Sequence, residues 1–133
     1  MKTKRKIGFK ENGFSLVEVL AAVAIIGIIT FLAIPNIVAV KQDSETNMAI
    51  SRAEALNIAM VSYVQANGHE NASNYWSQQV SVQGRYALLA SYLAFAPSNL
   101  FEYMPSGYQI TLPGDLEKIS KVQLRGPSGE IYY

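Results

Sequence analysis

The sequence contains no cysteine, one histidine and one tryptophan. Without cysteine there is no disulfide framework, no thiolate metal site and no cysteine nucleophile. The one histidine, His69, stands in Asn67-Gly68-His69-Glu70-Asn71 and reads as a solvated turn residue. Adjacent Glu70 points elsewhere on most backbones, so no acid is placed to orient the ring as a base. The later acids, Glu70, Glu102, Asp115, Glu117 and Glu130, are scattered without the spacing of a calcium loop. A phosphate-cradling glycine loop is also missing. Charge is scarce, at 16% of residues, and the formal net charge of +1 supplies no field for nucleic acid. Eight aromatics lie between Tyr75 and Tyr108, but Arg85 is the only base among them, which a stacking platform for single strands would not tolerate. These absences predict no catalytic residue, no metal, no cofactor and no nucleic-acid partner. A length of 133 residues allows one domain with a leading or trailing element.

What is present is unevenly distributed. Residues 1–13 carry Lys2, Lys4, Arg5, Lys6 and Lys10 against Glu11, a net +4, so everything after them is net −3. From Phe14 to Val40 the chain is almost wholly apolar, and its only charge is Glu18. Val19–Val40 is an uncharged run of about 33 Å as a helix, enough to cross a hydrocarbon core of ~30 Å. The preceding bases place the N-terminus in the cytoplasm and the remainder outside. A cleaved secretory signal is the competing assignment. It requires a shorter apolar core and a small-x-small site, which Ala33-Ile34-Pro35 and Ile37-Val38-Ala39 supply poorly. Glu18 is the feature that needs explaining, because a carboxylate one turn into an apolar segment must be paired, protonated or within reach of the interface. Pro35 removes the helical hydrogen bond to the Phe31 carbonyl and predicts a kinked or loosened turn.

The succession of a short basic leader ending in Gly13, then Phe14-Ser15-Leu16-Val17-Glu18, then an apolar stretch with Gly27 and Pro35, resembles the type IV pilin-like proteins. These comprise pilins, the pseudopilins of type II secretion and competence pseudopilins. The resemblance covers roughly residues 8–40, with Ser15, Leu16 and Val17 where Thr, Leu and Ile are commoner. It implies that a prepilin peptidase cuts between Gly13 and Phe14 and N-methylates Phe14. It implies that Glu18 pairs with the Phe14 amine of a neighbouring subunit and sets the register. It also implies that Gly27–Pro35 loses helical order on assembly. The implied partners are the peptidase, other pilin or pseudopilin subunits, an inner-membrane assembly platform and the membrane.

Beyond Val40 the expectations come from pattern alone. Ala49, Ala53, Leu56, Met60 and Tyr63 or Val64 recur at steps of three and four, an amphipathic stripe to pack on a domain. Lys41, Asp43, Glu45, Arg52 and Glu54 are expected as polar surface. The helix is therefore expected from about 14 to 66, with a break at Gln42–Asn47 as the alternative and Asn67-Gly68 as the stop. His69–Gln79 reads as a polar loop anchored by Tyr75-Trp76. A short helix follows on Tyr86, Leu89, Ala90 and Leu93, bounded by Gly84 and Pro97, and Ser98 caps a turn through Tyr103. Tyr108, Ile110 and Leu112 alternate as a strand, with a second on Val122 and Leu124 and a third over Glu130–Tyr133 after a Gly126–Gly129 turn. Asp115–Lys121 is left as the start of the second strand or a helical turn.

The fold class expected is α+β and pilin-like. It has a leader over 1–13, an apolar transmembrane and assembly helix over 14–40, its amphipathic continuation over 41–66, and a small head with a short antiparallel sheet over 67–133. A head of that size without a disulfide needs the helix stripe as its other wall. The function expected is a structural subunit of a type II secretion pseudopilus, in the bacterial inner membrane with a periplasmic head. A major, minor or competence type IV pilus subunit is the alternative. A monomeric signal-anchored extracytoplasmic binding module is the rival of another class.

Overall fold

A computed structural model of the chain describes Gly8 and residues 12–133. The bases expected to form the leader, Lys2 to Lys10, and Glu11 lie outside the described residues. Helix α1 (Leu16–Asn67) belongs to two compact units, one ending at Val40 and the other comprising Lys41–Tyr133. It is helical through both Pro35 and Gln42–Asn47, so the alternative of a break there does not hold. In the first unit the apolar side chains from Leu16 to Val40 are exposed, apart from half-buried Ala33.

The second unit is an α+β head built on the later turns of α1. Ala49, Ala53, Leu56, Ala59, Met60 and Tyr63 form one buried face, the stripe that the 3.6-residue period predicted. Three of these are alanines, which let the rest of the head approach the helix closely. Strands β1 (Gln109–Thr111), β2 (Gln123–Gly126) and β3 (Gly129–Ile131) form an antiparallel meander in sequence order. Ile110 pairs with Leu124 and Leu124 with Ile131, so one side of the sheet faces the core while Gln109, Gln123 and Arg125 face out. The third strand starts earlier than expected, at Gly129, whose φ of 128° permits the two-residue Pro127-Ser128 turn. Asp115–Lys121 is neither strand nor helix, although Leu116 is buried.

Three local expectations are corrected. His69–Gln78 is a helix, α2, and not a loop. Its polar composition hides a narrow apolar strip, Ala72 and Trp76 one turn apart, both buried, and tertiary packing on that strip outweighs weak local propensity. Helix α3 (Val82–Leu89) is continued by a 3-10 turn through Tyr92, and Gly84 lies inside it and not at its boundary. Ser81 is the cap, its hydroxyl accepting from the Gly84 amide at 3.0 Å. Helix α4 (Leu100–Tyr103) is capped by Asn99, whose side chain accepts from the Phe101 amide, and not by Ser98. The Ser98 carbonyl instead accepts from the Gln83 side chain at 2.9 Å.

Polar side chains on α1 lock the head in place. Thr46 shares a 2.7 Å hydrogen bond with the Tyr108 hydroxyl. Arg52, expected as surface, donates to the Tyr103 carbonyl and lies over the Tyr103 ring. Asn57 accepts from the Val122 amide at 2.8 Å and donates to the Tyr133 hydroxyl and to Glu54. Hydrogen bonds from Lys121 and Asn57 hold the Glu54 carboxyl below its ordinary pKa, and burial pushes the Tyr133 hydroxyl above the usual phenol range. Replacing Asn57 by Ala strands the Val122 amide. The expected cost is about 1–3 kcal/mol, read as a lower urea midpoint of the detergent-solubilised chain by Trp76 fluorescence. An unchanged midpoint would show that water substitutes for the amide.

Candidate functional site at the start of the long helix

The site residues expected from the sequence fall in the first unit, and its geometry starts from the chain end of α1. Residues 12–15 are non-helical, Gly13 is exposed, and Phe14 is 89% exposed. A Cβ built on Gly13 would meet nothing within 4 Å, so no packing within the chain calls for glycine there. The Gly13–Phe14 bond thus lies in a non-helical, accessible stretch two residues ahead of the helix, with no secondary structure to undo before the backbone can be reached.

Ser15 and Glu18 then start the helix together. The Ser15 amide donates to Glu18 Oε2 at 3.1 Å, and the Glu18 amide donates to Ser15 Oγ at 3.2 Å. This reciprocal pair is a capping box, which satisfies two amides that the helix cannot satisfy itself. A carboxylate on the first turn also sits at the positive end of the helix dipole. Ser15 was missed as a functional residue, although serine three positions before glutamate, just ahead of an apolar run, is the sequence signature of such a box. Glu18 therefore has a place to rest on its own chain, on the Ser15 amide.

Further along, Gly27 is helical and exposed, with nothing within 4 Å of a Cβ placed on it. Pro35 sits inside the helix. Around it, Thr30 donates to the Ile26 carbonyl at 2.7 Å and Asn36 to the Leu32 carbonyl at 3.3 Å. The structure thus brings Ser15 and Glu18 together and leaves Gly27 and Pro35 separate along the same helix. α1 is long and apolar enough to cross a membrane, and none of its most apolar stretch is buried.

A family model described as the prokaryotic N-terminal methylation motif matches residues 8–34, the stretch that holds Gly13, Phe14, Glu18 and Gly27. Among curated proteins, the chain is 29% identical over 106 residues to the type II secretion system core protein G of Escherichia coli K12. It is 28% identical over 123 residues to the type IV major pilin protein PilA of Myxococcus xanthus. The motif and both relatives support a type IV pilin-like family. These alignments cover 80% and 92% of this pilin-like chain, but only 66% and 47% of the two relatives. No solved structure gives a significant match.

Elsewhere the head offers little for chemistry. Among the described residues, no three of His, Asp and Glu converge as metal ligands. His69 is exposed at the first position of α2. One cavity, about 770 Å³, is an open groove beside Phe95 and Tyr103 whose charged lining residues are Arg52 and Glu102.

Proposed function

We propose that this chain is a structural subunit, the substrate of two modifying reactions and the catalyst of none. A prepilin peptidase cuts it between Gly13 and Phe14 and methylates the Phe14 amine. The mature chain then assembles through α1 into a filament of pilin-like subunits on an inner-membrane platform. The observation that carries this reading is the unburied apolar half of α1, whose one carboxylate, Glu18, stands in its first turn, just after an exposed, non-helical Gly13–Phe14. Cleavage removes the net +4 of residues 1–13 and leaves a cation, the Phe14 amine, at the apolar end. A carboxylate in lipid then has a counter-ion of the right kind on every copy of the chain, and pairing between copies favours assembly over the dispersed state. Gly27 and Pro35 are the two positions at which α1 gives up helical order most cheaply during that step.

Before assembly the chain resides in the bacterial inner membrane with its N-terminus cytoplasmic and Lys41–Tyr133 periplasmic. Of the two machines, a type II secretion pseudopilus is the reading put first. The chain spans 66% of the type II core protein against 47% of the pilin, and a cysteine-free small head supports the same choice. A type IV pilus or competence pilus subunit is the alternative.

Mass spectrometry of the chain from its native membrane tests the processing. The expected result is a mature N-terminus at Phe14 carrying one added methyl group. An intact Met1 points instead to a signal-anchored binding module, and a cut near Ala39 to an ordinary secretory signal.

A further inference from the structure

We infer that the head carries an inter-subunit contact of its own: Phe95 of one copy seats in the hollow between Val61 and Ile119 of the next copy. The inference rests on the self-assembly proposed above and adds to it a contact made wholly within Lys41–Tyr133.

The ring comes first. Phe95 stands on the loop between the 3-10 turn and α4 and is 88% exposed, so it adds little to the core of its own head. Both ends of that loop are tied down. The Leu93 amide donates to the Ala90 carbonyl at 3.3 Å, and the Tyr86 hydroxyl donates to the Pro97 carbonyl at 2.7 Å. A large aromatic held out in water on an anchored loop loses little freedom on docking, which is what an interface anchor requires.

The hollow lies on the other side of α1. Val61 and Ile119 line it and are 42% and 43% exposed, with the Glu54–Lys121 ion pair at its rim. Its volume is about 210 Å³, below the ~300 Å³ at which pockets for small molecules begin, so it suits one side chain better than a free ligand. The charges match as well. The groove beside Phe95 carries Arg52 and Glu102, and the rim of the hollow carries Glu54 and Lys121, each about half exposed. Docking can therefore oppose unlike charges on both flanks of the ring.

Placement on α1 makes the contact one that grows. Arg52 and Val61 are nine residues apart, two and a half turns at ~3.6 residues each, and so stand on opposite sides of the helix. For copies with parallel α1 axes, the six to nine residues from Ala55 and Arg52 to Val61 step each copy by about 9–14 Å from the last. Contacts between unlike faces extend a row of subunits, and the axial step keeps that row from closing into a ring. Phe95 against Phe95 would instead close a pair. These offsets use only turns of α1 within the second unit, so they hold whether or not Gly27–Pro35 keeps its helix.

The test uses the full-length chain in its native cells, with recovered filaments resolved on non-reducing gels. The sequence has no cysteine, so an introduced pair reports only on itself. Ala96→Cys with Ser120→Cys brackets the contact and leaves Phe95, Val61 and Ile119 in place. After mild oxidation, filaments of this double variant are expected to give a ladder of dimers, trimers and longer multimers. Each single variant carries one thiol and gives dimers at most. Phe95→Glu is expected to lower incorporation at least tenfold, the scale of a lost aromatic anchor, with the urea midpoint of the head unchanged. Filaments without a ladder, or Phe95→Glu incorporated at the parent level, overturn the contact. A lower midpoint for Phe95→Glu would place the ring in the core and overturn it too. Glu18→Ala runs alongside: normal incorporation of that variant overturns the assembly reading, which a missing ladder from Glu18-dependent filaments leaves standing.

Discussion

Glu18→Ala is expected to insert into the membrane at least as well as the parent chain and yet to fall at least tenfold in filament incorporation. The two halves of that result have different physical origins. Removing a carboxylate from an apolar segment lifts a penalty of about 2.5–3.5 kcal/mol for insertion near the bilayer centre, and less near its edge where Glu18 stands. The same removal takes away the only side-chain anion between Phe14 and Val40 that can answer a neighbour's amine. Capping is the complication, because Glu18 also closes the box with Ser15. Glu18→Gln separates the roles. A glutamine at this position accepts from the Ser15 amide as a glutamate does, but it carries no charge. If the ion pair drives assembly, the Gln variant fails in filaments as the Ala variant does. If it assembles normally, helix initiation is what Glu18 supplies and the register argument is wrong. Ser15→Ala completes the set: it loses one half of the box, about 1 kcal/mol, and keeps the charge.

The features legible in the sequence are those with a short period or a steep chemical contrast. The apolar run after Gly13, the lone Glu18 within it and the Ala49–Tyr63 stripe all survive in the structure, because each is set by residues within a few turns of one another. The alternation of Tyr108, Ile110 and Leu112 likewise located β1. Helix α2 was not legible, since only Ala72 and Trp76 among ten residues are buried, and such a strip stands out only once the surface it packs on is known. The misplaced cap has a distant cause. Ser98 and Asn99 are equally good caps in isolation, and the choice falls to Gln83, which engages the Ser98 carbonyl and the Leu100 amide from fifteen and more residues away. The locks on α1 were invisible for the same reason: Arg52 with Tyr103 and Asn57 with Val122 join residues more than fifty apart. Arg52 looked like surface because nothing near it in sequence competes for it. At the candidate site the omission was Ser15, a local feature whose spacing to Glu18 was there to read.

Trp76→Ala is expected to cost the head about 3–5 kcal/mol, the usual range for deleting a large buried aromatic. A unit of this size carries about 5–15 kcal/mol in all, so the variant loses at least about a fifth of its stability and, for a unit at the low end, most of it. The size of the effect follows from how many separate parts meet on one ring. Trp76 is fully buried, and its Nε1 donates to the Pro113 carbonyl at 2.9 Å. The Tyr63 ring of α1 packs against it at 6.3 Å, and the Arg85 guanidinium of α3 lies 5.7 Å from its centroid. Arg85 also donates to the Pro113 and Gly114 carbonyls, so the turn after β1 is held from two sides. Deleting the indole opens a cavity under α2 and frees that turn from one of its two anchors, while Arg85 keeps the other. Trp76→Phe tells these contributions apart. It fills most of the volume and loses only the N–H, and because Arg85 still satisfies Pro113 its cost is expected to be roughly 1–2 kcal/mol. Pulse proteolysis of the detergent-solubilised chain in urea measures both variants, since tryptophan fluorescence is lost with the residue. An Ala variant within about 0.5 kcal/mol of the parent, the range of an ordinary surface substitution, would mean that α2 is not part of the core. The polar reading of His69–Gln79 would then be the right one.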